Sequence, residues 1–213
     1  NSLPDKINLL KLVNFPAVEI ILKTGIVMNK IINIIIPESP LHSFPEEENS
    51  CEGLIDIYAE ERVQKAVRRE FSYVFAEHQY PGVPKMRLFD IPAYGFEVKS
   101  IKLIPIRVFH YRLPIYGFRT GNFAYITDAN YIPEESKELL YGVKYLVINA
   151  LRKEKHISHF SLREAVDLIR EISPKKAFIT HIGHQMGRHS EVSRELPPEI
   201  TLAWDGLSFS WTD

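Results

Sequence analysis

Of the 213 residues only one, Cys51, is a cysteine. A single thiol excludes a disulfide framework and any zinc module built on several cysteines, and it fits a reducing compartment. Net charge is nearly absent too: 26 Lys and Arg face 27 Asp and Glu. No overall field therefore draws the chain to nucleic acid or to an anionic membrane, although a local basic patch is still allowed. An uninterrupted apolar run of membrane-spanning length is also lacking. The nearest approach, residues 7–36, is broken by Lys11, Pro16, Glu19, Lys23 and Lys30, and no small-residue cleavage pattern follows a basic start. These absences lead to the expectation of a cytoplasmic protein without a membrane partner. What is present, 45% hydrophobic residues, suffices for the core of one ordinary domain.

Two segments differ in texture. Residues 1–54 are rich in Ile, Leu, Asn and Lys with weak periodicity, and end in the loop-like "PESPLHSFPEEENS". Residues 55–213 carry sharper patterns. "AEERVQKAVRREFSYVFAEH" places Val63, Val67, Phe71, Val74 and Phe75 at near-helical spacing. "GFEVKSIKLIPIRVFH" alternates as a strand, with Pro105 implying an edge or a break. "GFRTGNFAYITD" predicts a hairpin around Gly121-Asn122 leading into a strand that ends at Asp128. "YLVINALR" and "KAFITH" have the length of buried strands. Between them, "SLREAVDLIREI" predicts a helix with a Ser161/Glu164 capping box and an apolar face of Leu162, Ala165, Val166, Ile169 and Ile172. "TLAWDG" and "LSFSW" read as a closing hairpin-like pair. Alternating strands and helices predict an α/β layered fold.

Four strand ends bear ligand-type side chains: His110 after "IRVF", Asp128 after "AYIT", His181 after "AFIT" and Asp205 after "TLAW". A buried strand fixes its end rigidly enough for the narrow geometry a metal requires, and imidazole with carboxylate suits Zn²⁺ or a similar divalent ion. Asp205 reads equally well as the start of a turn at Gly206, or as a proton acceptor for a ligating histidine. The stretch "ITHIGHQMGRH" adds His184 and His189 after His181.

Taken together, "VFHYRLPIYGFRTGNFAYITDANYIP", "LVINALRKEKHISHFSLREAVDLI" and "AFITHIGHQMGRH" strongly resemble the C-terminal half of metallo-β-lactamase-fold hydrolases. The branch they resemble holds phosphodiesterases related to the cyclic-phosphate enzyme of phosphonate breakdown and to the transfer-RNA 3′-processing endonuclease. The resemblance covers about residues 55–213. It implies an αββα four-layer sandwich, incomplete at its N-terminal half, and two Zn²⁺ or Mn²⁺ ions. By the same resemblance His110 is a ligand of the first metal, Asp128 bridges both, and His181 binds the second. His159 is implied to contact phosphate and protonate the leaving group, a task suited to a group titrating near neutrality. His184 is a second catalytic candidate, lining the site or orienting a ligand. His189 could do the same or face solvent, and His156 reads as a supporting or exposed residue. The implied substrate is a small-molecule or nucleotide phosphodiester. Acyl or lactam hydrolysis is the enzymatic alternative, and a silent ligand- or partner-binding module is the non-enzymatic one.

Two features of the resembling family are absent: no HxHxDH occurs in the sequence, nor the GTG of its opening loop. On the implied ligand set each ion keeps two protein ligands, whereas catalytic zinc takes three plus water. The expectation is little or no turnover of a generic phosphodiester. A truncated or frame-disrupted origin of residues 1–54 ranks first among the explanations, then a pseudo-enzyme, then substitute ligands such as His42 or Glu46–Glu48. Residues 1–54 are further expected to pack poorly and to be cut first within "PESPLHSFPEEENS".

Overall fold

The computed structural model describes residues 54–98 and 101–211 and, ahead of them, four short strands: β1 (Ile7–Asn8), β2 (Ile20–Leu22), β3 (Ile26–Asn29) and β4 (Ile34–Pro37). His42, Glu46–Glu48 and the expected cleavage stretch lie outside the described residues, as does the packing expected of residues 1–54 beyond these strands. The chain divides into two compact units, residues 1–92 with 208–212, and residues 93–207 with 213.

In the first unit, β2, β3, β4 and β5 (Leu54–Tyr58) run antiparallel in sequence order, and β6 (Lys85–Phe89) adds parallel to β5. The parallel step needs a crossover, supplied by α1 (Glu61–Glu70). Its Val63 and Val67 are buried with Ile57 and Ala59. The helix is shorter than the apolar spacing predicts. It gives way at Phe71 to a single 3-10 turn, Ser72–Val74. Aromatic and serine residues are weak helix formers, and only Val74 of the three turn residues is buried. β1 pairs antiparallel with β14 (Ser210–Trp211). The expected pairing of "TLAWDG" with "LSFSW" does not form: β13 (Ile200–Leu202) pairs parallel with β12 (Lys176–Thr180), and β14 with β1.

The second unit is built on a seven-stranded sheet of order β13-β12-β11-β10-β9-β8-β7. β7 (Phe96–Val98), β8 (Ile101–His110), β9 (Leu113–Thr120) and β10 (Phe123–Tyr125) form antiparallel neighbours, while β10, β11 (Tyr145–Asn149), β12 and β13 are parallel. Pro105 does not break β8: it pairs with Phe118 on one side, and β7 reaches only Ile101–Leu103 on the other. Pro105 thus sits where the strand is locally an edge and no ladder donor is lost. The hairpin at Gly121-Asn122 forms as predicted, Gly121 taking φ 50°. Gly117 is required for another reason: a Cβ there would stand 2.8 Å from the Tyr125 carbonyl and from Ile126.

Helix α3 (Leu162–Ile172) carries the predicted capping box and lays Leu162, Ala165, Leu168, Ile169 and Ile172 into the core with Leu146, Ile148, Ala177 and Ile179. A short helix, α2 (Glu134–Lys137), follows β10, and α4 (His189–Glu195) links β12 to β13. No described helix is long and apolar enough to cross a membrane.

Candidate metal centre

The strand directions put several chemistries on one edge. β8 runs in the same sense as β10, since both are antiparallel to β9, and the parallel strands continue that sense. The carboxyl ends of β8, β10, β11 and β12 therefore share an edge, the usual seat of a site in an α/β sheet. His110 ends β8, Asp128 follows β10, and His181 follows β12.

Backbone hydrogen bonds tie these ends together. The Asn149 side chain, fully buried at the end of β11, accepts from Ala129 N–H and donates to Ala129 C=O, both at 2.9 Å. The same carbonyl accepts from Phe160 N–H at 2.8 Å, which couples Asp128 to His159 through their next residues. Leu151 donates to Phe160 C=O and accepts from Gly183 N–H, binding the His159 loop to the His181 loop. Phe109 exchanges bonds with Asn130 and Tyr131, and Asn130 Oδ1 accepts from Tyr111 N–H, so His110 is held to the same frame.

Asp128 and His181 adopt φ of 56° and 58°, and Tyr111, next to His110, adopts 57°. Non-glycine residues enter this left-handed region at a cost, and they persist where the surroundings fix them, often at functional sites.

Asp128 Oδ1 lies 3.2 Å from His159 Nε2 and 3.3 Å from His181 Nε2. The two imidazoles stack nearly parallel, with centroids 4.6 Å apart at 16°. All three side chains are 12–17% exposed. Among the described residues these three form the group able to hold a metal ion, with donor atoms within 4.8 Å of one another. Ligands on a tetrahedral ion with bonds of about 2 Å stand about 3.3 Å apart, so the two short spacings fit one ion. Counting His159 raises the protein donors from two to three, the number an open catalytic zinc site has.

The other candidates fall outside that group. His110 sets its ring edge-on to His159, centroids 4.8 Å apart. Burial pushes its pKa below the ordinary value, helped by His159 and opposed by Asp128. His184 is exposed at the start of a 3-10 turn, His184–Met186. His189 begins α4, bonds Leu202 C=O through Nε2 at 3.0 Å and sets its ring against Trp204. Asp205 is exposed in the turn that Leu207 N–H closes onto Trp204 C=O.

Two contributors were hard to read from sequence. Asn149 ends a buried apolar strand, as the ligand-type residues do, but its role needs the neighbouring loop. His156 lies beside His159, with Nδ1 atoms 3.1 Å apart. Burial first, then His159, Arg152 and His110, push its pKa down.

Known proteins bear on this geometry. Residues 41–182 match the family model of the beta-lactamase superfamily domain. An octanoyltransferase of Porphyromonas gingivalis is 36% identical over 153 residues, 71% of this chain but 31% of that protein. A crystal structure of a new diphosphatase from the PhnP family is 33% identical with a TM-score of 0.66, over 73% of this chain and 57% of that one. The chain thus spans less than two thirds of either relative. Human tRNase Z, short form, shares the fold at 18% identity and a TM-score of 0.51, over 75% of this chain and 67% of that one. The chain belongs to the beta-lactamase superfamily, and its α/β fold is the metallo-β-lactamase fold.

Proposed function

We propose that this chain is a metal-dependent hydrolase of phosphodiesters. The observation that carries the reading is the convergence of Asp128, His159 and His181 on one point. Asp128, His159 and His181 would hold one divalent ion, Zn²⁺ or Mn²⁺. When bound there, the ion supplies Lewis acidity to a phosphoryl oxygen and lowers the pKa of water. His110, edge-on to His159, is the next donor, placed toward a second ion that Asp128 would share. The carboxylate orients both stacked imidazoles through one oxygen, while the strand-end hydrogen bonds hold the three donors against displacement. The phosphoryl substrate class is favoured by the PhnP-family relative, described as a diphosphatase. A substrate carrying a P–O–P link therefore belongs beside simple diesters in any screen.

A second reading, acyl chemistry at the same centre, has one specific observation behind it: the relative named octanoyltransferase. A single experiment separates the readings. The purified chain is equilibrated with Zn²⁺ or Mn²⁺, its metal content is measured, and turnover of bis-p-nitrophenyl phosphate is compared with turnover of p-nitrophenyl octanoate. About one equivalent of metal is expected, with diester turnover abolished by Asp128→Asn. Turnover of the octanoate alone would favour the acyl reading. Absence of bound metal would leave the silent binding module.

A further inference from the structure

The hairpin that joins β8 to β9 turns on two residues, Tyr111 and Arg112, between the paired His110 and Leu113. The first of them has φ 57°. Two-residue hairpin loops favour glycine or asparagine where φ is positive, because a Cβ crowds the neighbouring backbone in the left-handed region. A bulky aromatic is the costly choice there. The main chain is pinned from outside the loop: Tyr111 N–H donates to Asn130 Oδ1, and Asn130 N–H donates to Phe109 C=O. Any residue except proline keeps that bond. The ring, by contrast, adds little packing. It is 47% exposed, and it meets its own loop neighbour, the Arg112 guanidinium, 5.2 Å from the ring centre. The fold therefore does not need a tyrosine at this position, and strain of this kind persists where function uses it. The ring's place offers a use. Tyr111 directly follows His110, at the sheet edge that also carries Asp128 and His181. A second half-exposed tyrosine, Tyr131, follows Asn130 and is bridged to Phe109 at the same end of β8.

From this arrangement we infer that Tyr111 is a specificity-determining residue: its ring stacks on a flat aromatic group of the phosphoester substrate, a nucleobase being the type. Arg112 lies over one face of the ring, and the base takes the other. Stacking of this kind accepts any base, since each has a π-face. The inference rests on the reading of this edge as a phosphoester site, and it names the part of the substrate beyond the phosphate.

The test uses the full chain equilibrated with Zn²⁺, together with Tyr111→Phe and Tyr111→Asn. Each is titrated by calorimetry with AMP and with ribose 5-phosphate, which keeps the sugar and phosphate but has no base. Wild type should bind AMP at least about fivefold more tightly than ribose 5-phosphate, the lower end of what one stacked base contributes. Tyr111→Phe should keep that preference. Tyr111→Asn should abolish it and yet unfold at or above the wild-type thermal midpoint, because asparagine tolerates the left-handed region. A wild-type chain that binds the two ligands equally, or binds neither, overturns the inference. So does a preference that survives Tyr111→Asn. A midpoint several degrees lower in Tyr111→Asn would show that the fold needs the ring, and would overturn it as well. Diester turnover without a preference for AMP would strike this inference and leave the proposed reaction. The preference without turnover would strike the reaction and leave the stacking role.

Discussion

At the scale of single residues, the centre depends on groups that never touch a substrate. Asn149 holds the backbone that presents Asp128, using both ends of its amide on Ala129. The partners are unequal in what they lose. Ala129 C=O keeps its bond from Phe160 N–H, but Ala129 N–H, in a residue with no exposure, keeps none. Asn149→Leu should therefore cost about 1–3 kcal/mol, the price of one buried donor left unmade, read from urea unfolding. Zinc affinity should fall as well, because Asp128 loses the clamp that holds it at φ 56°. A variant that unfolds like wild type and binds zinc unchanged would show that Asn149 merely fills space. Asn149→Asp should be worse than the leucine, since a carboxylate cannot donate to Ala129 C=O and would bury a charge.

At the scale of elements, α3 is the part most firmly written in local sequence. Ser161 Oγ accepts from Glu164 N–H, and Glu164 Oε2 accepts from Ser161 N–H at 2.9 Å. Burial pushes the Glu164 carboxyl up, but the bonds from the Ser161 hydroxyl and backbone and the nearby Lys155 outweigh it and hold the pKa below the ordinary 4.5. A depressed folded pKa means the stabilisation is complete above the unfolded value and is lost as pH falls through the folded one. Glu164→Gln, whose amide oxygen can still accept from Ser161 N–H, should thus lower stability only by the charge-dependent part, about 0.3–1 kcal/mol at pH 7. The gap from wild type should close as the pH drops below the folded value, and a pH-independent gap would contradict this account. The box was legible because serine and glutamate three apart suffice to specify it. The hairpin at Gly121-Asn122 was legible for the same local reason. Helix α1 was over-read, since apolar spacing continues past Glu70 although the backbone does not. The partner of β13 was not legible, because α4 carries the chain back to β12 and pairing over that distance leaves no local mark.

At the scale of the whole molecule, His110, Asp128, His159 and His181 all belong to the unit of residues 93–207. The strand-end residues of the site could be picked out singly because each follows an apolar run. Their convergence was given by the resemblance alone and not by the local pattern, because it depends on β8, β10, β11 and β12 pointing the same way. His159 was already placed at the site by the resemblance; what the sequence did not give is its 3.2 Å approach to Asp128, which a loop residue makes only through the fold. Its arrival changes the ligand count on which the expectation of inactivity rested. If the three donors suffice, binding must stabilise the native state by RT ln(1 + [L]/Kd), about 2.7 kcal/mol at one hundred times Kd. Free zinc at that level should then raise the thermal midpoint by several degrees. Asp128→Asn should lose the rise, and asparagine tolerates the left-handed backbone there, so the loss would report the ligand and not a strained fold. His42→Ala should keep the full rise, because none of the three donors comes from the first 54 residues. The opposite result, a rise lost with His42 and kept with Asp128→Asn, would move the metal ligands to the N-terminal segment and dissolve the three-donor centre.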